Sequence, residues 1–217
     1  MSFRYRTQSK LRREVTCKIS LQHNTLPLPQ KIDYQMSRTS STKMEKATMT
    51  EKGAGNGLHE LLVEEMRDLY HAENQLVKAL PKMVKAAHDP ELKRSLEDHL
   101  GQTRGHVERL QQSFEILGEG ARGKTCKGMM GLVEEGSETI QEGKEQEENE
   151  ADLGLIVAAQ KVEHYEISGY GSVRTFAEKI GQDQVANLLR QNEEEEKKAD
   201  ELLTQASARL LDQVGGM

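Results

Sequence analysis

Four stretches of the chain place apolar residues at alternating steps of three and four, which is the spacing of one face of an α-helix. We call each set of positions a seam. The clearest seam is Val185, Leu189, Asn192, Glu196, Ala199, Leu203, Ala206 and Leu210. The other three are Leu69, Ala72, Leu76, Ala79 and Met83; Leu92, Leu96, Leu100, Thr103, Val107, Leu110 and Phe114; and Ile156, Gln160, Ile167 and Tyr170. No sustained strand-like alternation interrupts them, so the pattern predicts an all-α protein.

The signals that end helices group these stretches into two pairs. The predicted helices are residues 58–87, 90–117, 151–180 and 183–214. Asp89 and Pro90 can cap and begin the second helix, and Gly181 separates the last two. Residues 118–150 form a long connection with a short extra helix. Two helical hairpins joined by one long crossover predict a ferritin-like antiparallel four-helix bundle.

Each seam also contains or adjoins a polar side chain that an ordinary core would not hold. Apart from Asn192, the seam neighbours of Glu196 are apolar for two turns on either side, and Glu73 lies between Leu69 and Leu76. A buried charge must be paired, neutralised or coordinated by a metal. The seams therefore predict a polar site at the centre of the bundle.

The residue types in the seams favour a metal site. Ferritin-like proteins take single glutamates from two helices and Glu-x-x-His pairs from the others, and such ligands suit iron, manganese or zinc. Here the single glutamates would be Glu73 and Glu163. The remaining candidates are His99, Gln102 and His106 on the second helix and Asn192, Glu196 and Asp200 on the fourth. Neither helix contains a strict Glu-x-x-His pair.

Aligning the two hairpins predicts how the candidates face each other: Glu73 opposite Glu163, Gln102 opposite Glu196, and His106 opposite Asp200. We expect the heads of Glu73, Glu163 and Glu196 to converge, with the carboxyl groups of Glu73 and Glu196 no more than roughly 10 Å apart, as a bridged pair of metal ions requires.

Several neighbouring residues have an ordinary interpretation as well. Glu166, Glu193, Glu194 and Glu195 are expected to flank the seams with their carboxylates in water. His164 is expected at the surface. Tyr170 is expected in the core, where it could also contact a metal ligand.

Composition limits the alternatives. Cys17 and Cys126 show no CxxC spacing, which argues against a disulfide framework or a thiolate zinc site and indicates a reducing, cytoplasmic compartment. The sequence contains no run of about 20 apolar residues, so no membrane span is predicted. No Ser-His-Asp set, phosphate-binding loop or basic groove identifies a substrate.

The charge distribution separates an N-terminal segment from the rest. Residues 1–50 hold ten Lys or Arg and three acidic residues, a net charge of +7, while residues 51–217 carry −13. We interpret residues 1–50 as a disordered basic tail, residues 51–57 as a linker and residues 58–214 as the bundle. The tail could instead be a targeting segment, a gene-model extension ahead of Met44 or Met49, or a nucleic-acid-binding arm.

Four segments together resemble the YciF-like family of bacterial ferritin-like stress proteins. They are LYHAENQLVKALPKM (69–83), HLGQTRGHVERL (99–110), AAQKVEHYEISGYGSV (158–173) and NEEEEKKADELLTQ (192–205). The resemblance covers residues 57–208. It implies a four-helix bundle, usually dimeric, with a dinuclear metal centre and an association with stress responses.

Carried over by position, the family's acidic and histidine positions fall on Glu73, His99, His106, Glu163, Glu166, Glu196 and Asp200. One segment departs from the family pattern. Where many members read HLEET, this chain has His99-Leu100-Gly101-Gln102-Thr103 and so lacks both acids. Gln102 can offer an amide oxygen but no charge.

Two hypotheses of function follow. In the first, a di-iron or manganese centre reacts with oxygen or peroxide in a stress response. In the second, the chain is a metal-free or weakly metal-binding helical dimer that acts as a structural or protein-interaction module. Both expect a homodimer without membrane contact, and nucleic acid could bind only through the basic tail.

Overall fold

The structure is a computed structural model that describes residues 52–214. The described residues form helices and no strands, which confirms the predicted all-α class. The helices are α1 (Lys52–Ala86), α2 (Pro90–Ile116), α3 (Lys127–Glu142), a short 3₁₀ helix (Gly143–Glu145), α4 (Glu148–Lys179) and α5 (Asp183–Val214). The predicted basic tail of residues 1–50 lies outside the described residues.

Most helix boundaries follow local signals in the sequence. Asp89 caps α2, because its side chain accepts hydrogen bonds from the backbone N–H groups of Glu91 and Leu92, and Pro90 is the first helical residue. The start of α1 differs from the prediction. The helix begins at Lys52 rather than after Gly57, because extending an existing helix costs less than nucleating a new one.

The four long helices pack in a closed cycle. α1 contacts α2 and α4, and α5 contacts the same two helices, while α3 packs on α1 and α4. Glycines with positive φ follow two of these helices: Gly118 after α2 and Gly181 after α4, with φ of 72° and 74°. None of the described helices is long and apolar enough to cross a membrane.

The apolar interior forms two clusters with a polar layer between them. On α2, Leu96 belongs to one cluster and Leu110 to the other, and His99 and His106 lie between these two leucines. On α5, Leu189 and Leu203 flank Glu196 in the same way. The two apolar clusters pack on either side of the polar layer. The layer therefore lies near the middle of the helices and away from water.

Candidate metal centre

Six polar side chains from four helices meet in the layer between the two apolar clusters, and each is at most 5% exposed. They are Glu73 on α1, His99 and His106 on α2, Glu163 and Glu166 on α4, and Glu196 on α5. The predicted seam of α2 is shifted: His99 and His106 are buried, whereas Leu100 and Val107 are only partly buried. The imidazoles therefore occupy the central positions of the helix interface.

One half of the layer is built around His106. Its Nδ1 lies 3.1 Å from Glu73 Oε1 and 2.8 Å from Glu196 Oε1, although only the contact with Glu73 has hydrogen-bond alignment. Ligand atoms from His106, Glu73 and Glu196 all lie within 4.8 Å of one another. One nitrogen and two carboxylate oxygens at this spacing can surround a single cation.

The other half is built around His99. Its Nε2 lies 3.5 Å from Glu163 Oε1 and 3.7 Å from Glu196 Oε2, and the three residues again place ligand atoms within 4.8 Å of one another. Glu196 faces His106 with one oxygen and His99 with the other. It is thus positioned to bridge two cations, and the expected convergence of Glu73, Glu163 and Glu196 is met.

The carboxylates of the layer are poorly satisfied by the protein itself. The buried oxygens without a hydrogen-bond partner are Glu73 Oε2, Glu163 Oε2, both of Glu166 and both of Glu196. Leaving a buried polar atom unsatisfied costs about 1–3 kcal/mol, and more for a charged group. Even with both imidazoles protonated, four carboxylates would leave two negative charges uncompensated.

Burial and the neighbouring charges change the pKa values in this layer. Burial raises the pKa of Glu163 and Glu166 well above the usual range, and it also raises the pKa of Glu196 despite the opposing effect of His106. Burial by itself would lower the pKa of His106. The carboxylates of Glu73 and Glu196 outweigh that effect and raise the pKa of His106 to about 11.

We expect the metal-free protein to lose stability as the pH rises from about 5 to about 9. Glu163 and Glu166 have raised folded pKa values, so the stability that they contribute is complete below their ordinary value of 4.5 and declines above it. The contribution of His106 is complete below its ordinary 6.5 and is lost as the pH rises toward about 11. Thermal unfolding without metal across this pH range would test the prediction, which a rising Tm would contradict.

Residues outside the layer hold His106 in place. Its Nε2 lies 2.9 Å from Glu195 Oε2, and Arg109 donates hydrogen bonds to Glu195 and to the side-chain oxygen of Asn192. A carboxylate on the far nitrogen of a metal-binding histidine is a common outer contact, because it fixes the tautomer and the ring orientation. Glu195 was expected to be an exposed flanking residue, so the sequence interpretation missed this contact.

Gln102 has a different position from the predicted one. Its Oε1 lies 3.3 Å from His99 Nδ1, so it contacts the histidine of its own helix instead of facing Glu196 across the bundle. The amide oxygen can accept the Nδ1 proton of His99 and leave Nε2 free to face Glu163. Gln102 thus supports His99 much as Glu195 supports His106.

Asp200 is also placed differently. It is half-buried, accepts a hydrogen bond from Gln160 (2.9 Å) and lies 3.4 Å from His164, which is exposed as predicted. It is not a member of either group of ligand atoms found in residues 52–214. The predicted pairing of His106 with Asp200 is replaced by the contacts with Glu195 and Glu196. The packing of α5 places these two residues beside α2, whereas Asp200 contacts Gln160 of α4.

Glu166 and Glu193 depart from the expectation that their carboxylates reach water, and Glu193 is 5% exposed. Glu166, expected to reach water, is 0% exposed. Tyr170 is in the core as predicted, and its hydroxyl donates a hydrogen bond to Glu73 Oε1. The positions of Glu166 and Tyr170 had a signal in the sequence, since both recur with Glu163 at steps of three and four on one face of α4.

Comparisons with known proteins agree on one family. Residues 57–214 match the model described as Domain of unknown function (DUF892). Protein YciF of Escherichia coli strain K12 is 38% identical over 148 residues, which cover 68% of this chain and 88% of YciF. The crystal structure of the E. coli stress protein YciF superimposes with a TM-score of 0.68 at 36% identity and covers 71% of this chain and 97% of that one.

Two other solved structures are similar. YcfI of Rhodopseudomonas palustris, for which a structural role has been suggested, has a TM-score of 0.64 and 36% identity, with 75% of this chain and 98% of that one covered. A protein of Xanthomonas campestris pv. campestris has a TM-score of 0.55 at 23% identity, covering 72% and 94% of the two chains. The latter supports the fold alone.

Proposed function

Since the chain belongs to the DUF892 family and is similar to YciF, we propose that it is a ferritin-like stress-response protein whose central polar layer binds two divalent metal ions. The proposal includes the ferritin-like arrangement of the four long helices. It is supported by the pairing of α1 with α2 and of α4 with α5, and by the long crossover that carries α3. It also includes a homodimer in a reducing, cytoplasmic compartment.

The observation that carries the proposal is the set of buried carboxylate oxygens without hydrogen-bond partners. A buried carboxylate that the protein does not satisfy is strongly unfavourable unless a cation compensates it. Glu73, His106 and Glu196 would hold one ion, and His99, Glu163 and Glu196 the other, while Glu166 adds two further unpartnered carboxylate oxygens to the same buried layer. Iron or manganese fits these oxygen and imidazole donors.

The bound metal would supply redox chemistry toward oxygen or peroxide. The residues of the chain would have simpler roles. Glu195 and Gln102 accept the outer protons of His106 and His99 and so orient both rings. The Tyr170 hydroxyl donates a hydrogen bond to Glu73 and holds that carboxylate in place. The apolar clusters above and below the layer exclude water from it.

The second candidate function is a structural module without metal. It is favoured by one observation: both ring nitrogens of His106 face carboxylates, and its raised pKa keeps the ring charged, so the imidazolium can pair with Glu73, Glu195 and Glu196 by itself. The structural role suggested for YcfI is consistent with it. This candidate leaves Glu163 and Glu166 to be neutralised by protonation.

Metal analysis of the full chain without a histidine tag tests the proposal. After purification, anaerobic titration with Fe(II) or Mn(II) should saturate at two ions per chain and raise the Tm, because a ligand that binds only the folded state stabilises it. A chain that binds neither ion and whose Tm is unchanged by chelation would leave the structural module as the function.

A further inference from the structure

Two adjoining cavities lie between the C-terminal part of α1, the end of α3 and the start of α4. Their volumes are about 380 Å³ and about 480 Å³, and both are lined by Lys85, Ala86, Ile140 and Lys144. Each volume falls within the roughly 300–1,000 Å³ of typical small-molecule sites. The site is separate from the metal centre, because Lys85 follows Glu73 by twelve residues, about 18 Å along the helix axis.

The linings of these cavities carry positive charge. Lys82, Lys85 and Lys144 contribute to them, and none of the described lining residues is Asp or Glu. Within the described chain, neither Lys82 nor Lys85 has a carboxylate within 4.0 Å, while Lys144 donates to the Gln141 side chain at 2.6 Å. A cationic site is unexpected here, since residues 51–217 carry a net charge of −13.

Acidic residues line an adjoining cavity, which shares Thr139 and Gln146 with the first of the two. Glu135, Glu142 and Glu150 line that cavity together with Lys161, which binds Glu135 at 2.7 Å. Glu148 lies 3.8 Å from His88 of the first cationic cavity and is 81% exposed. Within residues 52–214, Lys82, Lys85 and Lys144 form no ion pair with these acids, so their ammonium groups are available to an external anion.

Apolar residues share the rest of the lining with the uncharged polar residues Thr139, Gln146, Ser137 and Gln141. Ile140 and Ala86 belong to both cavities, Leu155 and Ala151 line the first, and Pro81 lines the second. Leu155 is 2% exposed and Ala151 is 5% exposed, so they form a wall of the packed interior. The side chains of Lys82, Lys85 and Lys144 are exposed and so lie at the solvent-facing edge of the cavities.

We propose that the two cavities form one binding site for an amphiphilic anion, such as a medium-chain carboxylate. The anionic head would pair with Lys82, Lys85 and Lys144, and the apolar body would lie against Ile140 and Leu155. An inorganic anion would gain nothing from the apolar wall, and a neutral apolar molecule would gain nothing from the lysines. This inference does not depend on the metal centre.

The experiment uses the full chain and decanoate, measured by isothermal titration calorimetry below the micelle concentration. We expect saturable binding of one decanoate per chain. Decyltrimethylammonium, which has the same apolar body with a cationic head, should bind at least about ten-fold more weakly, since the charge interaction changes sign. Acetate, which has the head without the body, should show no binding.

The double variant Lys85→Glu/Lys144→Glu should weaken decanoate binding at least about ten-fold. Its matched control is Lys93→Glu/Lys179→Glu, which changes the net charge equally at exposed lysines that line none of these cavities and should bind decanoate as the wild type does. Circular dichroism and the Tm would verify that both variants fold.

The proposal would be overturned by the absence of saturable decanoate binding, by equal weakening in both double variants, or by equal binding of the cationic amphiphile. Flotation with phosphatidylglycerol vesicles distinguishes binding of a free amphiphilic anion from binding to a membrane surface. Binding to these vesicles without binding to monomeric decanoate would also overturn the proposal, because it would assign the lysines to a membrane surface.

Discussion

Replacing Glu196 with leucine should abolish binding at both metal positions and leave the metal-free fold as stable as the wild type or more stable. Glu196 is fully buried and gives one carboxylate oxygen to each half of the layer, so its removal affects both. The affinity should fall by more than the roughly 10–100-fold that loss of an outer contact costs. Leucine would also complete an apolar seam and remove a carboxylate whose oxygens have no hydrogen-bond partner.

Elemental analysis measures the number of bound metal ions, and unfolding in urea measures the stability of the metal-free protein. Glu193→Leu is the matched control, because Glu193 is also buried on α5 but is paired with Arg174 and Lys197. The control variant should keep both ions and lose about 1–3 kcal/mol of stability. The hydrogen-bonded structural module would be supported instead if the wild type bound no metal and Glu196→Leu lost about 1–3 kcal/mol of stability.

Replacing His106 with leucine should have two separate effects. The metal-free variant should lose about 3–5 kcal/mol of stability, because removing one partner of a buried ion pair leaves the other partner uncompensated. Here the uncompensated groups are Glu73 and Glu196, both fully buried. With metal, the stoichiometry should fall from two ions to one, since His99, Glu163 and Glu196 still form the other half of the layer.

The control for this variant is His164→Leu, the same substitution at a histidine that is 70% exposed on α4. It should change the free energy of unfolding by no more than about 0.5 kcal/mol and leave both ions bound. Loss of both ions in the His106 variant would show that the two halves of the layer are not independent. A stability equal to that of the wild type would show that His106 does not pair with the carboxylates.

The amino-acid sequence by itself determined the helices and the centre of the candidate site. Helix caps and the three-and-four spacing are local properties, so α5 (Asp183–Val214) and the Asp89 cap were predicted directly. A carboxylate within an apolar seam is also a local signal. Glu73, Glu163 and Glu196 were therefore predicted to converge before any packing was known.

Only the tertiary structure decided which flanking residues join them. Glu195 and Asp200 are five residues apart, which is about 140° around α5 and about 7.5 Å along it, so the rotation and register of α5 together decide that Glu195 rather than Asp200 reaches His106. A long glutamate beside a seam can equally well reach water, as was expected of Glu166, and the helices packed around it settle which occurs. The sequence pattern carries the spacing along each helix, whereas the rotation and register between helices depend on how all four pack together.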